Sequence, residues 1–120
     1  MVSEQVKQYV LEAGAYLKQA EQMSAFDTRV LDMCTACEGT LEAINVFIHD
    51  EEPWKLISEK NKELNDLFNN EFKKRVDTIK KDKGSYWVFC QQKQIVSELM
   101  IWKCEQKLSF YDFLTKKYDV

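Results

Sequence analysis

The chain has 120 residues, 45% hydrophobic and 31% charged, with three glycines and one proline, a balance that fits a single helical domain over residues 1–120 and excludes disorder, collagen-like repeats and a disulfide mini-scaffold. Its net charge of −3 is split unevenly: residues 1–60 carry 5 basic and 11 acidic side chains, residues 61–120 carry 12 and 9, which argues against bulk phosphate binding but leaves room for a local basic patch. The opening MVSEQVKQYV lacks the basic start and apolar run of a secretory signal, and no stretch approaches the roughly 20 apolar residues of a membrane helix, so the expectation is a cytoplasmic, reducing location with no membrane partner.

Apolar residues recur at helical spacing along the chain and strict alternation is absent, which predicts an all-α bundle of four to six helices. Ser3 is placed to cap a first helix with the stripe Val6, Tyr9, Val10, Ala13, Tyr16, Leu17 and Ala20. Ser24, three residues before Asp27, resembles a capping box and opens a second helix running to about His49. Its seam is Val30, Cys34, Cys37, Leu41, Ile44 and Ile48, at the 4-3-4-3-4 spacing of bundle packing. Acidic residues 50–52 ahead of Pro53 mark a third start. The polar run Ser58 to Asn61 suggests a break before the stripe Leu64, Leu67, Phe68, Phe72, Val76 and Ile79, which Gly84 ends. From Tyr86 to about Lys107 the chain is apolar over much of the helix circumference, as expected of a helix that is central or shared with a second chain. Ser109 with Asp112 then offers a cap for a short last helix.

The spacing of reactive side chains points away from catalysis, metal and cofactors. Cys34 and Cys37 form a C-x-x-C pair, but Cys90 and Cys104 do not repeat it, and fourteen helical residues separate them by about 21 Å, too far for one tetrahedral zinc. A redox C-x-x-C sits at a helix N-terminus after a strand, whereas this pair falls mid-helix; buried, reduced seam thiols are the plainer reading. His49 is the single histidine, so neither a di-iron bundle nor a histidine-dependent nucleophile finds its full set of residues. The three glycines are isolated and form no phosphate-cradling loop.

Two surface features remain. Lys73, Lys74, Arg75, Lys80, Lys81 and Lys83 gather at a helix end, either solvated there or contacting phosphate. The last 35 residues hold more aromatic side chains than a small bundle easily buries, and Trp87, Trp102, Phe110, Tyr111 and Phe113 are the expected interface anchors.

The segment Asn45-Val-Phe-Ile-His-Asp-Glu-Glu-Pro53-Trp54-Lys55-Leu56, preceded by Leu41-Glu-Ala-Ile, resembles part of the helical anticodon-binding domain of class Ia aminoacyl-tRNA synthetases, methionyl type. Asn45, Phe47, Ile48, Pro53, Trp54 and Leu56 keep that pattern without a gap over about sixteen residues, while the family's later Pro-aromatic-Met-Pro turn and its catalytic motifs are missing. The resemblance implies a stand-alone relative of an RNA-binding helical bundle. The expected function is therefore a non-catalytic binding or regulatory module that meets a protein partner or a second copy of itself, with an RNA-binding module as the alternative.

Overall fold

The computed structural model describes residues 3–118. Four helices follow in order: α1 (Glu4–Glu21), α2 (Arg29–Ala43), α3 (Glu51–Lys83) and α4 (Ser85–Lys117), with a 3-10 turn at Ile44–Phe47 between α2 and α3. The chain is all-α, at the lower end of the expected helix number.

Ser3 caps α1 as its spacing predicts, its Oγ accepting the Val6 N–H at 3.2 Å. The second start lies later than expected. Ser24 Oγ accepts from Phe26 N, and Asp27 Oδ1 instead accepts the Arg29 N–H at 2.9 Å, so α2 begins at Arg29. Arg29 also grips that carboxylate with its guanidinium at 2.8 Å, holding Asp27 near a pKa of about 2. The C-terminal end of α2 tightens into the 3-10 turn, which leaves His49 exposed in the connection rather than on a helix.

Neither of the two further breaks exists. Ile57 and Leu64, seven residues apart and both buried, lie on one face of α3 with half-buried Lys60 and Asn61 between them, so the polar run Ser58–Asn61 interrupts the stripe in sequence only and the helix runs on for 33 residues. Likewise Cys104, Lys107, Tyr111 and Leu114 keep a buried 3-4-3 spacing straight through Ser109, and α4 continues for 33 residues, about 50 Å.

The helices run up, down, up and down, and α4 is their common neighbour. Ser97 Oγ donates to Ala25 O at 2.9 Å and Tyr111 Oη to Asn45 Oδ1 at 2.8 Å, so α2 runs parallel to α4. Arg75 meets Glu98, and Lys60 lies over the Phe110 ring, so α3 runs antiparallel on the other flank. This central place accounts for the broadly apolar circumference of α4. The α2 seam is buried as its spacing predicts, Val30, Cys34, Cys37, Leu41 and Ile44 completely; each large aliphatic side chain among them stabilises the fold by roughly 2 kcal/mol.

The packing is lopsided. Beyond Leu64 no residue of α3 is fully buried, and the far end of the α3–α4 hairpin extends past the α1–α2 turn that Ser97 pins. The extents are 53 × 26 × 16 Å and the radius of gyration 16.3 Å, against about 13.6 Å for a compact chain of this length. Among the described residues, no helix is long and apolar enough to cross a membrane.

Candidate functional site

Gly84 turns the chain with φ 90°, and α4 restarts at once with Ser-Tyr-Trp-Val-Phe. Residues 86, 87 and 89 fan around a helix that α3 flanks on one side and α2 reaches only at Leu31, so they are not all covered. Tyr86 is 73% exposed, Trp87 46% and Phe89 79%. The Trp87 ring meets Tyr86 edge-on at 6.3 Å and carries the Lys83 ammonium at 5.5 Å. Below it, Phe89 joins Leu31, Gln92, Lys93 and Val96 around an open groove of about 300 Å³ between α2 and α4. Phe26, in the α1–α2 turn, is also exposed.

The five aromatic residues expected as anchors do not form one patch. Trp87 belongs to this tip. Trp102 lines a groove of about 310 Å³ between α3 and α4 with Leu67, Leu99 and the Arg75–Glu98 pair. Phe110 is half-buried against the core. Tyr111 is 2% exposed and is a core side chain, not an interface anchor, because its ring fills the α2–α4 seam and its hydroxyl is spent on Asn45. Phe113 is exposed near the other end of α4, about 39 Å from Trp87 along the axis. Tyr86, Phe89 and Leu31 were not singled out as anchors, although the Gly84 turn already implies that the first turn of α4 outnumbers its neighbours.

The basic residues divide as well. Lys73, Lys74, Lys80, Lys81 and Lys83 are exposed. Arg75 is held between Glu71 at 3.2 Å and Glu98 at 2.8 Å, which ties α3 to α4 and removes it from the phosphate-facing set.

A second polar cluster lies inside the bundle. Cys34, Cys37 and Cys104 are fully buried, and Cys90 is exposed near the tip, so the four thiols are indeed split. Cys104, however, closes on the C-x-x-C pair: its Sγ donates to Cys34 O at 3.5 Å and approaches Glu38 Oε1 at 3.8 Å. Donation from the Cys104 thiol draws Cys34 and Cys37 below the ordinary thiol range, and those two neighbours, followed by burial, push Cys104 up. Glu38 covers the cluster and is itself paired with Lys107 at 3.1 Å and Lys103 at 3.8 Å. Among the described residues no group of His, Cys, Asp and Glu is arranged to hold a metal ion.

The synthetase-like segment is occupied within the chain: Trp54 Nε1 donates to Ile48 O at 2.9 Å, Pro53 and Ile48 are buried, and Asn45 holds Tyr111. Comparison with protein-family models, curated proteins and solved structures found no match for this chain. The class defined by fold and surface is thus an all-α bundle with an exposed aromatic tip.

Proposed function

We propose that this protein is a non-catalytic helical binding module that works through protein–protein contacts and associates with a second copy of itself. The observation that carries this reading is the exposure of Tyr86, Trp87 and Phe89 together at the end of the α3–α4 hairpin. Aromatic side chains of this kind supply most of the energy of an interface when a partner covers them, and in a monomer all three stay largely in water. Charge supports a second copy as that partner. The lysine-rich hairpin end of one molecule complements the half of the other that carries 11 acidic and 5 basic side chains, an antiparallel arrangement compatible with twofold symmetry.

Size-exclusion chromatography with light scattering tests the reading on the full chain. The wild type is expected to give a concentration-dependent dimer and the Trp87→Ala/Phe89→Ala double variant a monomer with unchanged helical circular dichroism. A wild type that stays monomeric up to high micromolar concentration sinks self-association.

A second reading has its own observation: Lys83 lies over the exposed Trp87 ring, with Lys80 and Lys81 exposed on the same helix end, the combination that single-stranded nucleic acid binds by phosphate contact and base stacking. On that reading the module binds RNA, and charge reversal at Lys73, Lys74, Lys80, Lys81 and Lys83 abolishes an affinity that falls steeply with salt. Retained binding at high salt argues against it.

A further inference from the structure

The surface reading makes no use of the buried thiols, and their arrangement has chemistry of its own. Three cysteines from two helices converge in a seam where aliphatic side chains would pack equally well. Cys104 packs on the α2 pair, its Sγ 3.5 Å from Cys34 O, and the Glu38–Lys107 ion pair lies beside the group, with Glu38 Oε1 3.8 Å from the Cys104 sulfur. Lys107, itself only 8% exposed, lies one turn from Cys104 and holds the Glu38 carboxylate at the edge of the group.

We propose that this cluster is a site of reversible oxidation, at which hydrogen peroxide links α2 to α4 through a disulfide between Cys104 and the Cys34–Cys37 pair. In the first step the thiolate of one member of the Cys34–Cys37 pair attacks one peroxide oxygen, the O–O bond breaks, and hydroxide leaves, giving a sulfenic acid at that cysteine. In the second, the Cys104 sulfur attacks that sulfur and displaces its hydroxyl; the thiol proton and the departing oxygen leave as water. Two thiols and one peroxide become one disulfide and two waters, with both electrons taken up by peroxide. The remaining thiol of the pair is available for exchange afterwards.

Position favours the inter-helix link. Cys104 sits level with Cys34 and Glu38 on the parallel helix, its Sγ 3.5 Å from Cys34 O, so the bond joins side chains that already share one level of the seam. A link within Cys34–Cys37 would have to be made inside a regular helical turn and would leave Cys104 out.

The test uses the full chain carrying Cys90→Ser, which removes the exposed thiol and with it intermolecular crosslinks. After a graded hydrogen peroxide treatment and quenching, free thiols are alkylated in denaturant and peptides are mapped without reduction. The expected product is a monomer that has lost two of its three thiols, in which the peptide bearing Cys104 is joined to the peptide bearing Cys34 and Cys37. Dithiothreitol should restore all three thiols. Adding Cys104→Ala, with folding checked by circular dichroism, is expected to remove the inter-helix link and stop the reaction at a sulfenic acid on Cys34 or Cys37 that dimedone traps. Three unmodified thiols at a peroxide dose that fully oxidises Cys90 in the parent overturns the proposal. So does a link confined to Cys34–Cys37.

Discussion

At the residue scale, Tyr111 shows how one hydroxyl can both locate and stabilise a helix pair. Its phenol donates to Asn45 Oδ1 at 2.8 Å, and burial, aided by the charge of Glu42 and opposed by the Asn45 bond, pushes its pKa up to about 12. In the unfolded chain the phenol ionises near 10. Below about pH 10 both states are neutral and the contribution of this group is complete. Between about 10 and 12 the unfolded state sheds its proton while the folded state keeps it, so stability falls as pH rises through that window, by up to about 3 kcal/mol. Urea midpoints measured across pH 9–12 should show this loss, and the difference between wild type and Tyr111→Phe should isolate it from other alkaline groups. At neutral pH the same substitution is expected to cost about 1 kcal/mol, the net value of one hydrogen bond whose acceptor is only half-buried.

At the element scale, Gly84 sets the join between the two long helices. Its φ of 90° and ψ of 174° lie in a region essentially closed to residues with a Cβ, although nothing stands within 4 Å of where a Cβ would be. Strain rather than crowding therefore decides the cost of Gly84→Ala, about 1–3 kcal/mol, read as a lower denaturant midpoint at unchanged helical content. The helices themselves were legible wherever a buried stripe was long: Val30 to Ile48 reads as a seam and is one. The two false breaks share a cause. A run such as Ser58–Asn61 has only modestly weaker helix propensity than its neighbours, and the packing of Ile57 and Leu64 on the same face outweighs it. Ser109 and Asp112 match the letters of a cap, but a cap needs the chain to leave the helix, and Tyr111 and Leu114 keep it in register. The third cysteine was invisible for a different reason: nothing in the sequence relates Cys104 to Cys34 across 70 positions until α2 and α4 are known to run parallel.

At the scale of the whole molecule, α4 joins two unequal regions. From Ile95 onward it is flanked by α1, α2 and α3, and this stretch holds all of its buried residues. Before Ile95 it is flanked by α3 and meets α2 only along the open Leu31–Phe89 groove, in a stretch where α3 buries nothing completely. The aromatic excess was readable from composition, but its division between core, groove and tip was not, because it depends on how far α1 and α2 extend along the hairpin. The same asymmetry has a consequence for the time domain. An unbroken 33-residue helix suggests uniform cooperativity, yet the opening that exposes an amide to solvent need only release whatever packs upon it. Deuterium uptake along α4 should therefore divide near Gln94: amides of residues 88–93 exchanging through local fraying within seconds to minutes, and amides of residues 99–114 only on global unfolding. A uniform exchange rate along α4 in the isolated protein would mean that the tip is already held from outside, by another molecule.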